Sequence, residues 1–323
     1  MKLLSAREYW ITVVIGLVGS ASIYAVVAVT QLGAPTGLTG ATERYAVAQE
    51  RSAARNGQKL LYASGSSGFY GVRCKRLSLI IGRPAVNFGL HGGLGLRYLM
   101  DRVMAASDSG DVIVIGPEWE TYRGPRFGEY ACDYIMSRRV EYLKSLPMAL
   151  AFQLVLAAGP ERVFTGFWSR LSNGVSPLTP PGPVVGVNEC GDRVITPEDV
   201  AQGSRFAKNL GGNLPPWQTP SQHLTHDVDA FVAMGRKKGV RIVAVFPPLC
   251  ITRPVDKMRV AAVNDGMRKF WMDRGVAVLG TVEDAMYEPG DAFDTPYHLI
   301  EPAAQSHTTK LGLLLSNSGV LQE

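Results

Sequence analysis

The sequence predicts an α/β protein, a three-layer α/β/α sandwich around a central parallel sheet, preceded by one transmembrane helix. Three observations predict it. From Lys59 onward, apolar runs of strand length alternate with helix-length segments, the pattern of buried parallel strands covered by helices on both faces. An uncharged run from Trp10 to Val29 has the roughly 20 residues that an α-helix needs to cross a bilayer core. The 323 residues, 46% of them hydrophobic, suffice for one well-buried domain with accessory segments and place the chain outside the disordered class.

Residues 1–30 read as a cytoplasmic tip and membrane anchor. Lys2 and Arg7 precede the apolar run, and the positive-inside tendency keeps them in the cytoplasm and sends the rest of the chain across. The run is longer than a signal-peptide core of about 7 to 15 residues and ends without a small-x-small cleavage site, so an uncleaved anchor is expected. Residues 31–58 combine a Gly-, Thr- and Pro-rich linker, Gln31 to Thr42, with a helix over Glu43 to Asn56. Residues 59–323 form the catalytic domain. Its strands are predicted over Leu60 to Ala63, Ala85 to Leu90, Val112 to Ile115, Val240 to Phe246 and Val276 to Leu279. Its helices are predicted over Leu94 to Ala105, His223 to Lys238, Asp256 to Arg274 and Pro302 to Leu315. At about 152–220 the rhythm breaks around Thr179-Pro180-Pro181-Gly182-Pro183 and Gly211-Gly212-Asn213. This stretch reads as an insertion over one end of the sheet, of the kind that shapes a substrate cleft.

Charge and cysteine content exclude several classes. The formal charge of +5 comes from Lys and Arg scattered among Asp and Glu, which is no footprint for nucleic acid. Four cysteines, Cys74, Cys132, Cys190 and Cys250, allow one or two disulfides in an oxidising compartment, or buried free thiols. None stands in a CxxC or Cys/His spacing, so no zinc site, no other metal and no cofactor is expected.

In such a sheet, catalytic groups collect at the carboxyl ends of the strands. The first predicted strand runs into Ser64-Gly65-Ser66-Ser67-Gly68-Phe69-Tyr70-Gly71, a tight turn that places a serine at a helix N-terminus, where backbone N–H groups favour developing negative charge. The second runs into Asn87-Phe88-Gly89-Leu90-His91-Gly92-Gly93-Leu94-Gly95, a glycine loop able to offer an oxyanion donor. Near the C-terminus, Phe293-Asp294-Thr295-Pro296-Tyr297-His298-Leu299 sets an Asp four residues before a His. That Asp can accept the imidazole Nδ1–H and leave Nε2 to take a proton from a serine. His223, His226 and Asp227 have a spacing open to metal binding but read as a solvated helix start, and His307 reads as structural.

These three stretches, in this chain order, resemble the SGNH hydrolase superfamily, whose fold is SGNH/flavodoxin-like. More closely they are similar to its branch of membrane-anchored bacterial proteins associated with exopolysaccharide acylation. The resemblance extends through Gly110-Asp111-Val112-Ile113-Val114-Ile115-Gly116-Pro117-Glu118-Trp119-Glu120 and Phe246-Pro247-Pro248, and covers about Lys59 to Leu315 apart from the insertion. It implies Ser66 as nucleophile, with Ser67 as runner-up, because Gly71 then falls where the family's second glycine falls. It further implies His298 as general base, Asp294 as its partner, and the N–H groups of Ser66 and Gly92 as the oxyanion hole. One departure is chemical: the superfamily's third block offers an Asn side chain, and Glu118 stands in its place. An ionised Glu accepts hydrogen bonds and cannot donate them. Ser67, His91 and Glu118 are the remaining candidates for substrate contact.

The function expected from this resemblance is extracytoplasmic, serine-dependent acyl transfer or ester hydrolysis on a carbohydrate polymer, such as O-acetylation or deacetylation of cellulose. The expected location is the bacterial inner membrane, single-pass, with the catalytic domain in the periplasm. Expected partners are the polymer or an acylated sugar, a membrane acyl-transport protein and a polysaccharide synthase complex. The alternative is a non-catalytic scaffold or glycan-binding subunit that keeps the fold.

Overall fold

The structure, a computed structural model, describes residues 5–34, 36, 39–55, 57–173, 186–194, 196, 212–252 and 255–322. In chain order the first elements are α1 (Ala6–Thr30), α2 (Thr39–Ala53), β1 (Leu60–Ala63), α3 (Ser66–Gly71), α4 (Cys74–Ile81), β2 (Ala85–Asn87), α5 (Leu96–Ala106) and β3 (Val112–Ile115). Then come α6 (Glu129–Arg138), α7 (Val140–Ser145), α8 (Met148–Ala157), α9 (Gly159–Asn173), α10 (Gln222–Lys238), β4 (Arg241–Val245) and β5 (Leu249–Cys250). The last are α11 (Lys257–Met272), β6 (Ala277–Leu279), β7 (Met286–Tyr287) and α12 (Glu301–Asn317). The chain divides into two compact units, Met1–Ala41 with Phe127–Pro180, and Thr42–Arg126 with Pro181–Glu323.

The larger unit holds a five-stranded parallel sheet in the order β2-β1-β3-β4-β6. All five strands match predicted ones, with β2 and β4 ending earlier because the chain there leaves the ladder for loops. Phe88 and Leu90 nonetheless still donate to Tyr62 and Ser64 carbonyls at 2.7 and 3.2 Å. Strand residues alternate between two cores. Leu61, Ala63, Val86, Ile113, Ile115 and Ala244 face a cluster closed by Met100 and Val103 of α5, Val228 and Phe231 of α10, and Met267 and Trp271 of α11. Leu60, Tyr62, Ala85, Val112, Val114 and Val243 face a second one, closed by Leu77 of α4 and Leu311 and Leu315 of α12. Helices therefore cover both faces of the sheet.

The smaller unit contains α1, which is long and apolar enough to span a membrane and opens with a capping box between Ser5 and Glu8. It also contains α6 to α9, so the strand–helix rhythm breaks at Phe127, ahead of the predicted 152. Of the expected insertion, residues 174–185, 195 and 197–211 lie outside the described residues. All four cysteines carry free thiols, with Cys74, Cys132 and Cys250 buried and Cys190 half-buried, which corresponds to the second of the two predicted alternatives.

Candidate active site

The turn after β1 distinguishes its two adjacent serines. Ser67 is fully buried, its hydroxyl shares a 2.8 Å hydrogen bond with that of Ser64, and its N–H donates to Glu118 Oε1 at 2.7 Å. Ser66 is half-buried and its hydroxyl makes no hydrogen bond among the described residues. As the first residue of α3, it also keeps its N–H outside the intrahelical ladder. Two glycines allow the turn to sit where it does. A Cβ on Gly65 would lie 2.1 Å from Glu118 Oε2, and one on Gly71 would lie 2.8 Å from the Pro248 ring, which explains why glycines bracket the serines.

Asp294 and His298 meet within a short hairpin. Ala292 and Leu299 form an antiparallel bridge, Phe293 N–H donates to the His298 carbonyl at 2.7 Å, and His298 N–H donates to the Thr295 carbonyl at 3.2 Å. The four-residue spacing across this hairpin brings His298 Nδ1 to 2.5 Å from Asp294 Oδ1, so Nδ1–H donates to the carboxylate and Nε2 is left on the side of the ring away from it. The imidazole also stacks on Tyr70, with centroids 3.9 Å apart and planes 3° from parallel. Tyr70 lies one helical turn beyond Ser66 in α3, so this stack brings the imidazole of His298 to the helix that bears Ser66.

Glu118 lies between the turn after β1 and the glycine loop after β2. It is buried, its Oε2 has no hydrogen-bond partner among the described residues, and that oxygen lies close above Gly65 and 3.4 Å from where a Gly92 Cβ would stand. Burial raises its carboxyl above the ordinary range, against the lowering effects of the Ser67 hydrogen bonds and of His298. His91 is exposed at one edge and accepts the Gly93 N–H on Nδ1 at 3.0 Å. Desolvation of the rest of its ring and, after that, the charge of His298 lower its pKa. Glu118 thus lies against Gly65, next to Ser66, and Gly92, and the His298–Asp294 pair is near enough to act on both Glu118 and His91, whereas Ser67 is turned inward.

Sequence reasoning assigned no role to Tyr70 or Arg193. The guanidinium of Arg193 lies 4.3 Å from the centroid of Tyr70 and 5.4 Å from that of Phe293. Tyr70 was detectable through its i+4 relation to Ser66, while Arg193 adjoins an irregular segment and gave no signal. Asn87 is another such residue: its amide donates to the Gly68 and Val72 carbonyls at 3.1 and 3.0 Å, and its Oδ1 accepts from Gly89 N–H at 2.8 Å, tying the second loop to α3. Elsewhere, Asp227 is bound by Arg97 and Arg126, His223 shares a 3.2 Å hydrogen bond with Ser221 at the start of α10, and His307 is buried against Tyr287 at 3.0 Å. A cavity of about 1010 Å³ is lined by Val260, Asn264, Glu283, Met286 and Tyr287, among others, and by none of the triad. Size alone favours that cavity for a ligand, but the convergent hydroxyl, imidazole, carboxylate and N–H groups favour α3 for chemistry.

Comparison of the chain with family models, curated proteins and solved structures returned no match.

Proposed function

We propose that the protein is an extracytoplasmic serine esterase or O-acyltransferase acting on a carbohydrate polymer, with O-acetylation or deacetylation of an exopolysaccharide such as cellulose as its reaction. The observation that carries this reading is the uncommitted hydroxyl of Ser66 on the helix whose Tyr70 stacks against His298, itself held by Asp294 at 2.5 Å. In the proposed reaction Ser66 Oγ attacks the ester carbonyl while His298 Nε2 takes its proton. The oxyanion is held by the N–H groups of Ser66 and Gly92, and His298 returns the proton to the departing alcohol. Water or a sugar hydroxyl then attacks the acyl-serine, giving hydrolysis or transfer. The carbohydrate, the acyl-transport and synthase partners, the SGNH assignment and the periplasmic location rest on the resemblance and on the charges flanking α1.

Glu118 fits this reaction in its neutral form. A protonated carboxyl keeps one oxygen to accept the Ser67 N–H and donates from the other, Oε2, to the oxyanion, the service that Asn performs in the resembling proteins. The same residue favours a second reading. Were Glu118 ionised, its charge would oppose an oxyanion, and the chain would be a non-catalytic scaffold or glycan-binding subunit.

Hydrolysis of 4-nitrophenyl acetate by the solubilised full-length chain tests the proposal. Loss of activity in Ser66→Ala and His298→Ala with retention in Ser67→Ala supports it. A folded wild type no more active than Ser66→Ala overturns it in favour of the scaffold.

A further inference from the structure

Within the smaller unit, two adjacent helices present apolar side chains outward. Along α8, Met148, Phe152 and Leu156 follow one another at four-residue spacing and are 88%, 63% and 52% exposed, while Leu154 points inward and is fully buried. Along α9, Phe164, Trp168 and Leu171 are 54%, 70% and 65% exposed. These spacings put each trio on one face of its helix. The helices meet through Ala158 and Gly159, the latter at φ +72°, so they form one hairpin. Six large apolar side chains on neighbouring helix faces exceed what scattered surface hydrophobics explain.

The rest of the unit says what covers them. The inner side of α9 packs on α1: Arg162 donates to Gln31 Oε1 at 2.5 Å, Arg170 donates to the Leu32 carbonyl at 2.8 Å, and Gly166 lies against Gln31. Gln31 is the residue that ends α1. The hairpin is thus fixed at the point where the apolar helix gives way to polar chain, the level of the lipid headgroups if α1 spans the bilayer. At about 1.5 Å per residue, the ten residues of α8 reach only about half of the hydrocarbon core, so α8 cannot cross. It carries no charge, and Trp168 on its partner helix is of the residue type concentrated at membrane interfaces.

We propose that the outer face of the α8–α9 hairpin is embedded in the outer lipid interface beside α1, a monotopic contact that adds to the single span. The proposal rests on reading α1 as a retained membrane anchor. The bilayer is favoured over a protein as occupant because the hairpin is continuous with α1, the element long and apolar enough to lie in lipid.

The test is quenching of tryptophan emission by brominated phosphatidylcholine in nanodiscs that hold one copy of the full-length chain. Wild type is compared with Trp10→Phe, which reports α1, and with Trp168→Phe, which reports the hairpin. Trp10 and Trp168 are 64% and 70% exposed, so both replacements leave the packing intact, and near-ultraviolet circular dichroism checks this. A fall in the bromolipid-quenched fraction in both variants is the expected result. A fall in Trp10→Phe alone overturns the hairpin proposal and leaves the anchor standing, pointing to a protein or a second copy as the cover. A fall in neither overturns the anchor and the proposal together.

Discussion

Glu118 accepts the Ser67 N–H through Oε1 at 2.7 Å, which holds its other oxygen buried above Gly65, unpartnered among the described residues. Burial raises the Glu118 pKa, and the proposed reaction uses the protonated form, so esterase activity is expected to fall as pH rises through that elevated pKa. Glu118→Gln supplies an N–H donor at every pH, and its rate profile is expected to lose this alkaline decline. Glu118→Ala is expected to lose about 10²-fold in kcat. The stability sign agrees. A carboxyl whose folded pKa exceeds its unfolded value of about 4.3 contributes stability below that value and loses it as pH rises through the folded pKa, so Glu118→Gln gains more in Tm at neutral pH than at pH 4. Activity in Glu118→Gln from an inactive wild type would instead point to the scaffold.

The adjacent serines are expected to separate function from stability. Ser66→Ala removes the proposed nucleophile and should reduce kcat by at least about 10³-fold with an unchanged melting temperature. Ser67→Ala removes a fully buried hydroxyl bonded to Ser64 and should cost about 1–2 kcal/mol of stability while the esterase persists. Thermal unfolding and 4-nitrophenyl acetate hydrolysis on the same preparations check both.

In the proposed reaction Tyr70 acts through His298, as a positioning residue. Parallel stacking at 3.9 Å fixes the imidazole plane, and such ring pairs contribute about 0.5–1.5 kcal/mol beyond their buried area. Tyr70→Ala is expected to lower kcat by roughly tenfold with a smaller change in KM, and Tyr70→Phe, which keeps the ring, to restore it. Loss of kcat in Tyr70→Phe equal to that in Tyr70→Ala would assign the effect to the hydroxyl.

The sheet and the triad candidates were legible because their signals are local. Apolar runs such as Val112 to Ile115 can be little other than buried strands, and Ser66, Gly92, Asp294 and His298 all follow strands or precede a helix at recognisable turns. The smaller unit was not legible as a unit. Its helices α6 to α9 lie far from α1 in the chain, and outward-facing residues such as Phe152 and Trp168 blur the inside–outside periodicity by which amphipathic helices are recognised. Nor could the sequence separate Ser66 from Ser67 by its residues alone, since one position along a helix start rotates a side chain by about 100° and only packing decides which hydroxyl turns inward.

At the opposite end of the sheet from the triad, Asp111 serves three donors. It accepts the backbone N–H groups of Lys59 at 2.9 Å and Asp108 at 2.7 Å and pairs with the buried Lys59 ammonium at 2.9 Å. Asp111→Ala leaves the Lys59 ammonium, whose side chain is 3% exposed, with only the exposed Asp108 carboxylate at 3.0 Å, and should destabilise by somewhat less than the about 3–5 kcal/mol of a buried charge left wholly unpaired. Lys59→Met leaves Asp111 its two N–H partners and should cost less. Equal losses in the two variants would show that the charge pair, and not the loop closure, dominates.

His307 gives the acid side of the stability profile a specific expectation. It is buried in α12 with its Nδ1 at 3.0 Å from the Tyr287 hydroxyl and its Nε2 without a partner among the described residues. Burial, followed by the charge of Lys310, pushes its pKa down to about 4. A histidine whose folded pKa lies below its unfolded value of about 6.5 binds its proton more readily in the unfolded chain, so stability is full above about pH 6.5 and falls as pH drops toward about 4. The stake is on the order of 3 kcal/mol. His307→Gln retains a polar partner for Tyr287 and carries no titrating group, so its Tm should decline less than that of the wild type between pH 7 and pH 4. Parallel declines in the two proteins would show that groups other than His307 set the acid limit.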